Sequence, residues 1–451
     1  LTDVTGVQTC ALPIYPIFTL NTCTQAAGLT QSFGARVMPV MVVYTAEMSG
    51  GVTLADFDDS SSVLTKHFVN LMIESATIQS FATGTYPYPG SIVLNPDLLG
   101  MVQQQELWNS GGTASLNTTA IAVNAAAQKA YWFLTTSHDW SITVGGTPIT
   151  VSQKTPMEFI LLVKSGGLNA QGVYSPWDIK TQWETASSNL LAGAPTGLSA
   201  DIPSFTGDFK GWIQANNWII REFGPDVTFG WQSNVWSNGN ANWVHQDLTE
   251  QQIDSTQAAP VAQLWMDLDV YEGDYAPDFI VFDKYERDAI QAYSIGYFWN
   301  QRDLLNYMKF VGLVSGHLGD MPVMLWQIPG GHLQTVGDVD TRTDNCSTEC
   351  DFFFGNSLVA SDMSNLKPYI LGTSLPSAIY GTTSIATYLT QNGQDWSQGY
   401  LSLARDLNVF AILWGGGSTT SVGAVFSDDG GYLSDLILDY YDNPLYLNDV
   451  P

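Results

Sequence analysis

The stretch that decides the fold is PVMLWQIPGGH, residues 322–332. Its first six residues are almost all apolar, and its last five contain a proline, two glycines and His332. A continuous apolar run bounded by turn residues is typical of a strand that is buried on both faces, as in a parallel sheet covered by helices. The stretch therefore predicts a buried parallel strand that ends in a polar loop.

The same pattern recurs along the chain. Between the apolar runs lie helical stretches, such as 61–82 and 118–136, which are long enough for βαβ crossovers. Residues 141–155 are typical of an inserted hairpin, and residues 337–357 of an irregular loop. We therefore predict an α/β fold, a distorted (β/α) TIM-like barrel with long loops at its mouth. The other predicted strands are RVMPVMVVY (36–44), SIVLN (91–95), VTFGWQ (227–232), DFIVFD (278–283) and NVFAILW (408–414).

Residues 4–14, VTGVQTCALPI, have neither a helical nor a strand period. Translated back into codons, they resemble a common short-read sequencing adapter. We therefore expect residues 1–15 to be a non-native scar and residues 16–451 to be a single catalytic barrel domain. The same reasoning predicts that the natural start is lost and that the first barrel strand is damaged or absent.

Charge and hydropathy limit the kinds of partner. The chain has 43 acidic and 15 basic residues, a net charge near −28, which repels phosphate backbones and disfavours nucleic acid. No uninterrupted apolar run approaches the 18 residues of a membrane span. A neutral polysaccharide meets no electrostatic penalty, so we expect a monomer that acts on polysaccharide, with neither nucleic acid nor membrane as a partner.

Apart from Cys10, the chain has three cysteines. The spacing in NCSTEC (345–350) predicts a small disulfide loop between Cys346 and Cys350, which would fit an oxidising compartment. Cys23 then has no partner unless that partner was lost with the natural start. We expect a secreted protein whose leader is not observable.

Polar residues gather directly after the predicted strands. In (β/α) barrels the active site is built at the carboxyl ends of the strands, so these clusters predict a site at the barrel mouth. Each cluster taken alone also fits a helix cap, and Asp97 in particular is placed to cap a helix that begins at Leu98. The clusters are 45–47, 96–97, 284–288, 328–332 and 415–417.

Motifs of several enzyme classes are missing. The five histidines form no HxH or HExxH pair, and there is no GxSxG elbow, P-loop or dinucleotide-binding GxGxxG after a strand. By contrast, GWQSNVWSNGNANW (230–243) places three tryptophans among small amides, which suits the faces and hydroxyls of sugar rings. The alternative is that most of these tryptophans fill the core.

Three motifs resemble glycoside hydrolase family 6, the inverting cellulases. The chain has VVY at 42–44, NPDLL at 95–99 and WQIPGGH at 326–332, in the family's order. Asp97 follows Tyr44 by 53 residues, close to the family spacing, and FIVFDKYERD (279–288) resembles a further family strand. The resemblance implies a distorted parallel barrel that hydrolyses β-1,4-glucan with inversion.

The resemblance also implies roles. Asp97 would protonate the leaving oxygen, Tyr44 would lie beneath the distorted sugar, and Trp326 would stack on a ring. Two family aspartates are missing, because their positions hold Gly50 and Gln334. His332 replaces the family glutamate. Residues that can substitute for these carboxylates are Glu47, Asp283, Glu286 and Asp338.

The candidate residues fall into a catalytic set and a substrate-binding set, and we expect no cofactor. The loop 337–351 also offers Asp338, Asp340, Asp344 and Glu349 as oxygen ligands for calcium, but it lacks the EF-hand order, and a solvated loop is the favoured explanation. The predicted catalytic residues are Asp97, Tyr44, Asp283, Glu286 and Glu47. The predicted substrate-binding residues are Trp231, Trp236, Trp326, Trp414, His332 and Gln327.

Three functional hypotheses follow. The first is a glycoside hydrolase, either inverting with carboxyl groups about 6.5–9.5 Å apart or retaining through Glu286 with a separation of about 5 Å. The second is a non-catalytic polysaccharide-binding barrel, suggested by the missing family aspartates. The third is a structural or surface protein on the same scaffold.

Overall fold

The computed structural model describes most of the chain, with gaps. All structural statements below concern these residues. The described residues are 16–33, 36–44, 57, 63–85, 87–107, 116, 119–174, 179–199, 201–284, 290, 296–339, 343, 346–415 and 430–446. The predicted scar at residues 1–15 lies outside them.

Every predicted apolar run contains a strand, which confirms the periodicity argument. The predicted hairpin is also present, as β3 and β4, which pair antiparallel. The strands are β1 Val40–Val43, β2 Ser91–Leu94, β3 His138–Val144, β4 Thr147–Lys154, β5 Thr228–Ser233, β6 Phe279–Asp283, β7 Val323–Ile328 and β8 Val409–Trp414.

Helices separate most of the strands. One further segment, Asp254–Ala258, is a π-helix between α8 and α9. The helices are α1 Pro16–Phe33, α2 Val63–Gln79, α3 Leu98–Gln104, α4 Val123–Thr135, α5 Pro156–Lys164, α6 Lys180–Ala192, α7 Phe209–Phe223, α8 Glu250–Ile253, α9 Ala259–Asp267, α10 Gln301–His317, α11 Glu349–Phe354, α12 Ser357–Ser361, α13 Pro368–Leu371, α14 Ser377–Tyr380, α15 Ile385–Leu389, α16 Leu401–Asp406 and α17 Tyr432–Asp442.

The parallel strands form one curled sheet. Their order is β1-β2-β5-β6-β7-β8, so β1 and β8 are its edges. The prediction of an α/β fold is confirmed, but the described strands form a half-barrel and not a closed TIM barrel. Six strands are fewer than the eight that close such a barrel. No strand precedes β1 among the described residues, and the segment that begins at Pro16 forms helix α1.

The chain divides into two compact units, and the boundary falls within β5. The N-terminal unit comprises the described residues of 8–231 and 265–278, and the C-terminal unit those of 232–264 and 279–451. In the N-terminal unit the hairpin packs through Trp140, whose ring stacks on Trp183 at 4.5 Å and on Phe159 at 4.8 Å. In the C-terminal unit every residue of β6 is buried, and all of them except Asp283 are apolar.

Two expectations for residues 337–357 need correction. Part of this predicted loop, Glu349–Phe354, forms helix α11, on which Cys350, Phe352 and Phe353 are buried. Cys346 and Cys350 are not joined by a disulfide, and Cys23 is also a buried thiol. The reason is local, because helix α11 carries Cys350 against the strand-end loop, where its thiol donates to the carbonyl of Gly330 at 3.1 Å.

None of the described helices combines the length and the apolar character needed to cross a membrane.

Candidate functional site

In the N-terminal unit, two of the predicted catalytic residues follow neighbouring strands. β1 and β2 are parallel, with Val43 opposite Leu94, so Tyr44 and Asn95 leave the same edge of the sheet. Asn95 is fully buried and its backbone N–H donates to the carbonyl of Val43 at 2.7 Å. Tyr44 is half-buried. This pairing fixes the place from which the turn to Asp97 starts.

Asp97 has an unusual backbone for an aspartate that precedes a helix. It lies at the N-cap position of α3, but its φ is +69° and its side chain makes no capping hydrogen bond. Asn95, two residues earlier, also has a positive φ of 45°. A positive φ is uncommon for residues other than glycine, but asparagine and aspartate adopt it more readily than most others. The half-buried carboxyl group therefore does not form the side-chain cap of α3 that the sequence also allowed.

In the C-terminal unit, Asp283 and Trp326 are register partners on the parallel strands β6 and β7. Partners in register project on the same face of a sheet, so the carboxyl group and the indole lie side by side. Asp283 is 4% exposed and accepts a hydrogen bond from Asn234 Nδ2 at 3.3 Å. The preceding residue, Phe282, projects on the other face and packs on Phe310 of α10.

Lys284 follows Asp283 and is fully buried with its counter-ion. Its Nζ lies 3.3 Å from Glu349 Oε1, donates to the carbonyl of Tyr297 at 2.6 Å and lies 4.3 Å above the ring of Trp299. The other carboxyl oxygen of Glu349 accepts from the backbone N–H of Thr348 at 3.1 Å. A buried charge needs such partners, so this pair joins the end of β6 to the start of α11.

The pKa of Tyr307, on α10, depends on the charges near the end of β6. Its hydroxyl donates to the carbonyl of Phe282 at 3.3 Å. Burial raises the pKa of Tyr307 well above its usual value, and the negative charges of Asp283 and Glu349 raise it further. Both carboxyl groups therefore disfavour ionisation of this phenol.

The end of β7 is held in shape by the following loop and α11. Gln327, the second residue of the WQIPGGH motif, has a φ of +53°, a strained conformation for glutamine. The backbone N–H of Cys350 donates to Gly331 O at 3.3 Å, and that of Leu333 donates to Asp351 Oδ2 at 2.5 Å. Hydrogen bonds with two residues of α11 therefore hold the loop after β7 in place.

His332, at the end of this motif, is fully buried and fixed by two neighbours. Its Nε2 lies 3.3 Å from Asp338 Oδ2, and its ring stacks on Tyr432 of α17 at 3.7 Å with an interplanar angle of 8°. Burial opposes ionisation of Asp338, but its hydrogen bonds with His332 and with the backbone N–H of Thr335 lower its pKa overall. Asp338 is therefore held as a carboxylate beside the imidazole.

Asp351 links three segments of the C-terminal unit. Its Oδ1 accepts from the Tyr432 hydroxyl and from Asn356 Nδ2, each at 2.9 Å, while its Oδ2 accepts from Leu333 N. Burial raises the pKa of Asp351 to about 6, although nearby His332 and these donors favour the ionised form. Burial and the charge of Asp351 also keep the pKa of Tyr432 well above its usual value.

Several buried polar atoms at and after the strand ends of the C-terminal unit have no hydrogen-bond partner among the described residues. Buried polar groups normally have partners, so each exception needs an explanation such as a ligand or an ordered water. Their hydroxyl, imidazole and carboxyl groups suit ligands rich in hydroxyls. The atoms are Ser233 Oγ, His332 Nδ1, Ser347 Oγ and Glu349 Oε1, the last of which still lies within ion-pair distance of Lys284.

The predicted tryptophans have different surroundings. Trp231 is fully buried in the N-terminal unit, where its indole donates to Asn217 Oδ1 at 2.9 Å, so it occupies the core position that the sequence also allowed. Trp326 is 8% exposed, and Trp236 is half-buried. Trp414 is half-buried at the end of β8 and packs on Phe353 and Phe354.

Four predicted residues lie outside the described residues. They are Glu47 and Glu286 of the catalytic set and Asp340 and Asp344 of the calcium set. The described part of the chain contains no cluster of three His, Cys, Asp or Glu side chains that would hold a metal. Asp338, another member of the calcium set, instead bonds with His332 and Thr335 N.

Sequence reasoning missed Asn234, Asp351 and Tyr432. Asn234 had a usable signal, because it follows β5 directly and lies within the amide-rich stretch 230–243. Asp351 and Tyr432 had none, since they act through contacts between segments that are far apart in the chain.

Comparisons with family models, with curated proteins and with solved structures find no match to this chain.

Proposed function

We propose that the protein is a secreted glycoside hydrolase that cleaves β-1,4-linked glucan with inversion, with Asp97 as the general acid. The observation that carries the proposal is the left-handed backbone of Asp97, which places a half-buried carboxyl group just after the carboxyl end of β2 without using it as a cap. Tyr44 follows the neighbouring strand at the same edge. Sites of this kind are where α/β barrels carry their chemistry.

The C-terminal unit supports a hydroxyl-rich ligand. Asp283 and Trp326 project from the same face of the sheet, and an indole beside a carboxyl group matches the apolar face and the hydroxyl rim of a sugar. The unpartnered polar atoms of Ser233, His332 and Ser347 offer further hydrogen bonds. Trp326, Trp236, Gln327 and His332 are therefore retained as substrate-binding candidates within the proposal.

The half-barrel is compatible with a distorted barrel of the cellulase kind. Six parallel strands in sequential order and crossover helices are features of that architecture. We propose that the fold is a distorted barrel of this kind, which acts as a monomer on polysaccharide.

A substrate screen tests the reaction. The full chain is incubated with cellulose, mixed-linkage glucan, xylan and mannan, and the reducing sugar released is measured. The proposal predicts release from cellulose or mixed-linkage glucan. Proton NMR of the first product then decides the mechanism, because inversion of a β-linkage gives the α-anomer, whereas a retaining mechanism through Glu286 gives the β-anomer.

A non-catalytic polysaccharide-binding protein is the second candidate. The observation that favours it is the replacement of two acidic residues of the resembled family by Gly50 and Gln334. It predicts that the protein is retained on insoluble glucan in a pull-down without any release of reducing sugar. Retention together with sugar release would contradict this candidate.

A further inference from the structure

The imidazole of His332 is held rigidly, with one nitrogen engaged and the other left without a protein partner. Nε2 faces Asp338 Oδ2 at 3.3 Å, and Tyr432 covers one face of the ring at 3.7 Å. Nδ1 is buried and has no hydrogen-bond partner among the described residues. The side chain is therefore preorganised, because neither its rotation nor its displacement is free.

Asp338 decides which nitrogen of the neutral ring carries the proton. A carboxylate only accepts hydrogen bonds, so Nε2 must be the donor toward Asp338, and Nδ1 of the neutral ring is then a lone-pair acceptor. Asp338 also accepts from Thr335 N at 2.5 Å, which fixes the carboxylate in place. The arrangement follows the general rule that the partner of one ring nitrogen sets the role of the other.

We propose that Nδ1 of His332 is the acceptor for a hydroxyl group of a bound neutral sugar, and that Asp338 is the positioning residue that keeps it so. The inference deepens the proposed function and rests on it. A buried acceptor without a partner costs free energy, and a ligand O–H group supplies the missing hydrogen bond.

The chemistry of the site favours a hydroxyl donor over a cation or an anion. Asp338 already engages Nε2, and no described cluster of three metal-ligating side chains includes this ring. The surroundings of His332 contain the carboxylates of Asp338 and Asp351, which repel an anion. A neutral hydroxyl donor needs no cluster of metal ligands and is not repelled by the carboxylates.

Nitrogen-15 NMR of the histidine rings tests the proposal in the full chain. The five histidines are labelled, and His332 is assigned by comparison with His332→Gln. Without ligand, we expect a protonated Nε2 and an unprotonated Nδ1. Saturation with cello-oligosaccharide should shift the Nδ1 resonance, and Asp338→Asn should disturb the tautomer. A protonated Nδ1, or an Nδ1 resonance that stays unchanged at saturation, would overturn the inference.

Binding measurements separate this inference from the proposed function. In His332→Gln the amide can still reach Asp338, but the Nδ1 acceptor is lost, so we expect about a tenfold weaker affinity for cello-oligosaccharide. His317→Gln is the matched control, because His317 also pairs through Nε2 with an aspartate, Asp254, at 2.6 Å but is about a third exposed. Its affinity should change less than about twofold.

Three outcomes are informative. If both variants bind and hydrolyse like the wild type, the role of His332 is wrong while the proposed function stands. If the wild type binds no oligosaccharide, both fail together. A selective loss in His332→Gln, with the expected tautomer in the wild type, supports both.

Discussion

Lys284 and Glu349 form an ion pair in which neither side chain is exposed to solvent, with Nζ 3.3 Å from Oε1. Because Lys284 directly follows Asp283, the pair fixes the end of the strand that carries this carboxyl group. A pair of this kind needs both partners, since removal of one leaves a buried charge without compensation.

We therefore predict that Glu349→Gln lowers the free energy of unfolding by about 3–5 kcal/mol. Chemical denaturation monitored by tryptophan fluorescence measures the loss. Asp406→Asn is the matched control, because the Arg405–Asp406 pair, at 2.7 Å, is partly exposed. Asp406→Asn should lower the free energy of unfolding by less than about 1 kcal/mol. Equal effects of the two variants would show that burial of the Lys284 pair carries no special energy.

Asp351 predicts a pH dependence of stability with a definite sign. Its pKa is raised from 3.8 to about 6, chiefly by burial, so the folded protein binds this proton more tightly than the unfolded chain does. The stabilising contribution is therefore full below pH 3.8 and is lost as the pH rises through about 6. The shift corresponds to roughly 3 kcal/mol.

The measurement is the difference in unfolding free energy between the wild type and Asp351→Asn across this pH range. The wild type should lose stability relative to Asp351→Asn as the pH rises. Asp362→Asn is a control of opposite sign, because hydrogen bonds from Ser364 lower the pKa of the exposed Asp362 and its contribution is lost as the pH falls. A flat difference for Asp351→Asn would contradict the account.

Trp231 and Trp236 should respond differently to substitution. Trp231→Phe removes the hydrogen bond to Asn217 and leaves a buried acceptor, so we expect a loss of about 1–3 kcal/mol in stability with unchanged affinity for oligosaccharide. Trp236→Phe, at a half-buried position, should instead weaken oligosaccharide binding. Thermal unfolding and calorimetric titration of both variants separate the two roles. If Trp231→Phe weakened binding and Trp236→Phe lowered only stability, Trp231 would be the ligand-binding residue and Trp236 the core residue.

The thiols of Cys23, Cys346 and Cys350 should all be alkylated in the unfolded protein without prior reduction. Burial protects them in the folded state, and burial also raises the pKa of the Cys23 thiol to about 12. Peptide mapping by mass spectrometry measures the labelling. If Cys346 and Cys350 are labelled only after reduction, the disulfide that the sequence suggested exists after all.

Strand positions were predictable because a strand that is buried on both faces needs a continuous run of mostly apolar residues, as in 279–283 and 323–328. The openness of the sheet was not predictable in this way, because closure depends on strand number and on loops without periodicity. The helix at Glu349–Phe354 was missed because acidic and turn-forming residues around it mask its two buried phenylalanines.

The candidate site was predictable only where chemistry follows a strand in the sequence. Asp97, Asp283 and His332 meet that condition. The partners Glu349 and Tyr432 do not, since they reach the strand ends from distant helices. Contacts of this kind cannot be predicted from the spacing of residues in the sequence.

Turnover by Asp97→Asn tests the central claim most directly. Asparagine tolerates the positive φ of this position, so the variant should fold, and Asp208→Asn, which alters an aspartate that does cap its helix through Gly211 N, is the matched control. The account predicts that Asp97→Asn lowers kcat on β-glucan by about 100-fold or more while binding persists, and that Asp208→Asn keeps its activity. Unchanged hydrolysis by Asp97→Asn would contradict it.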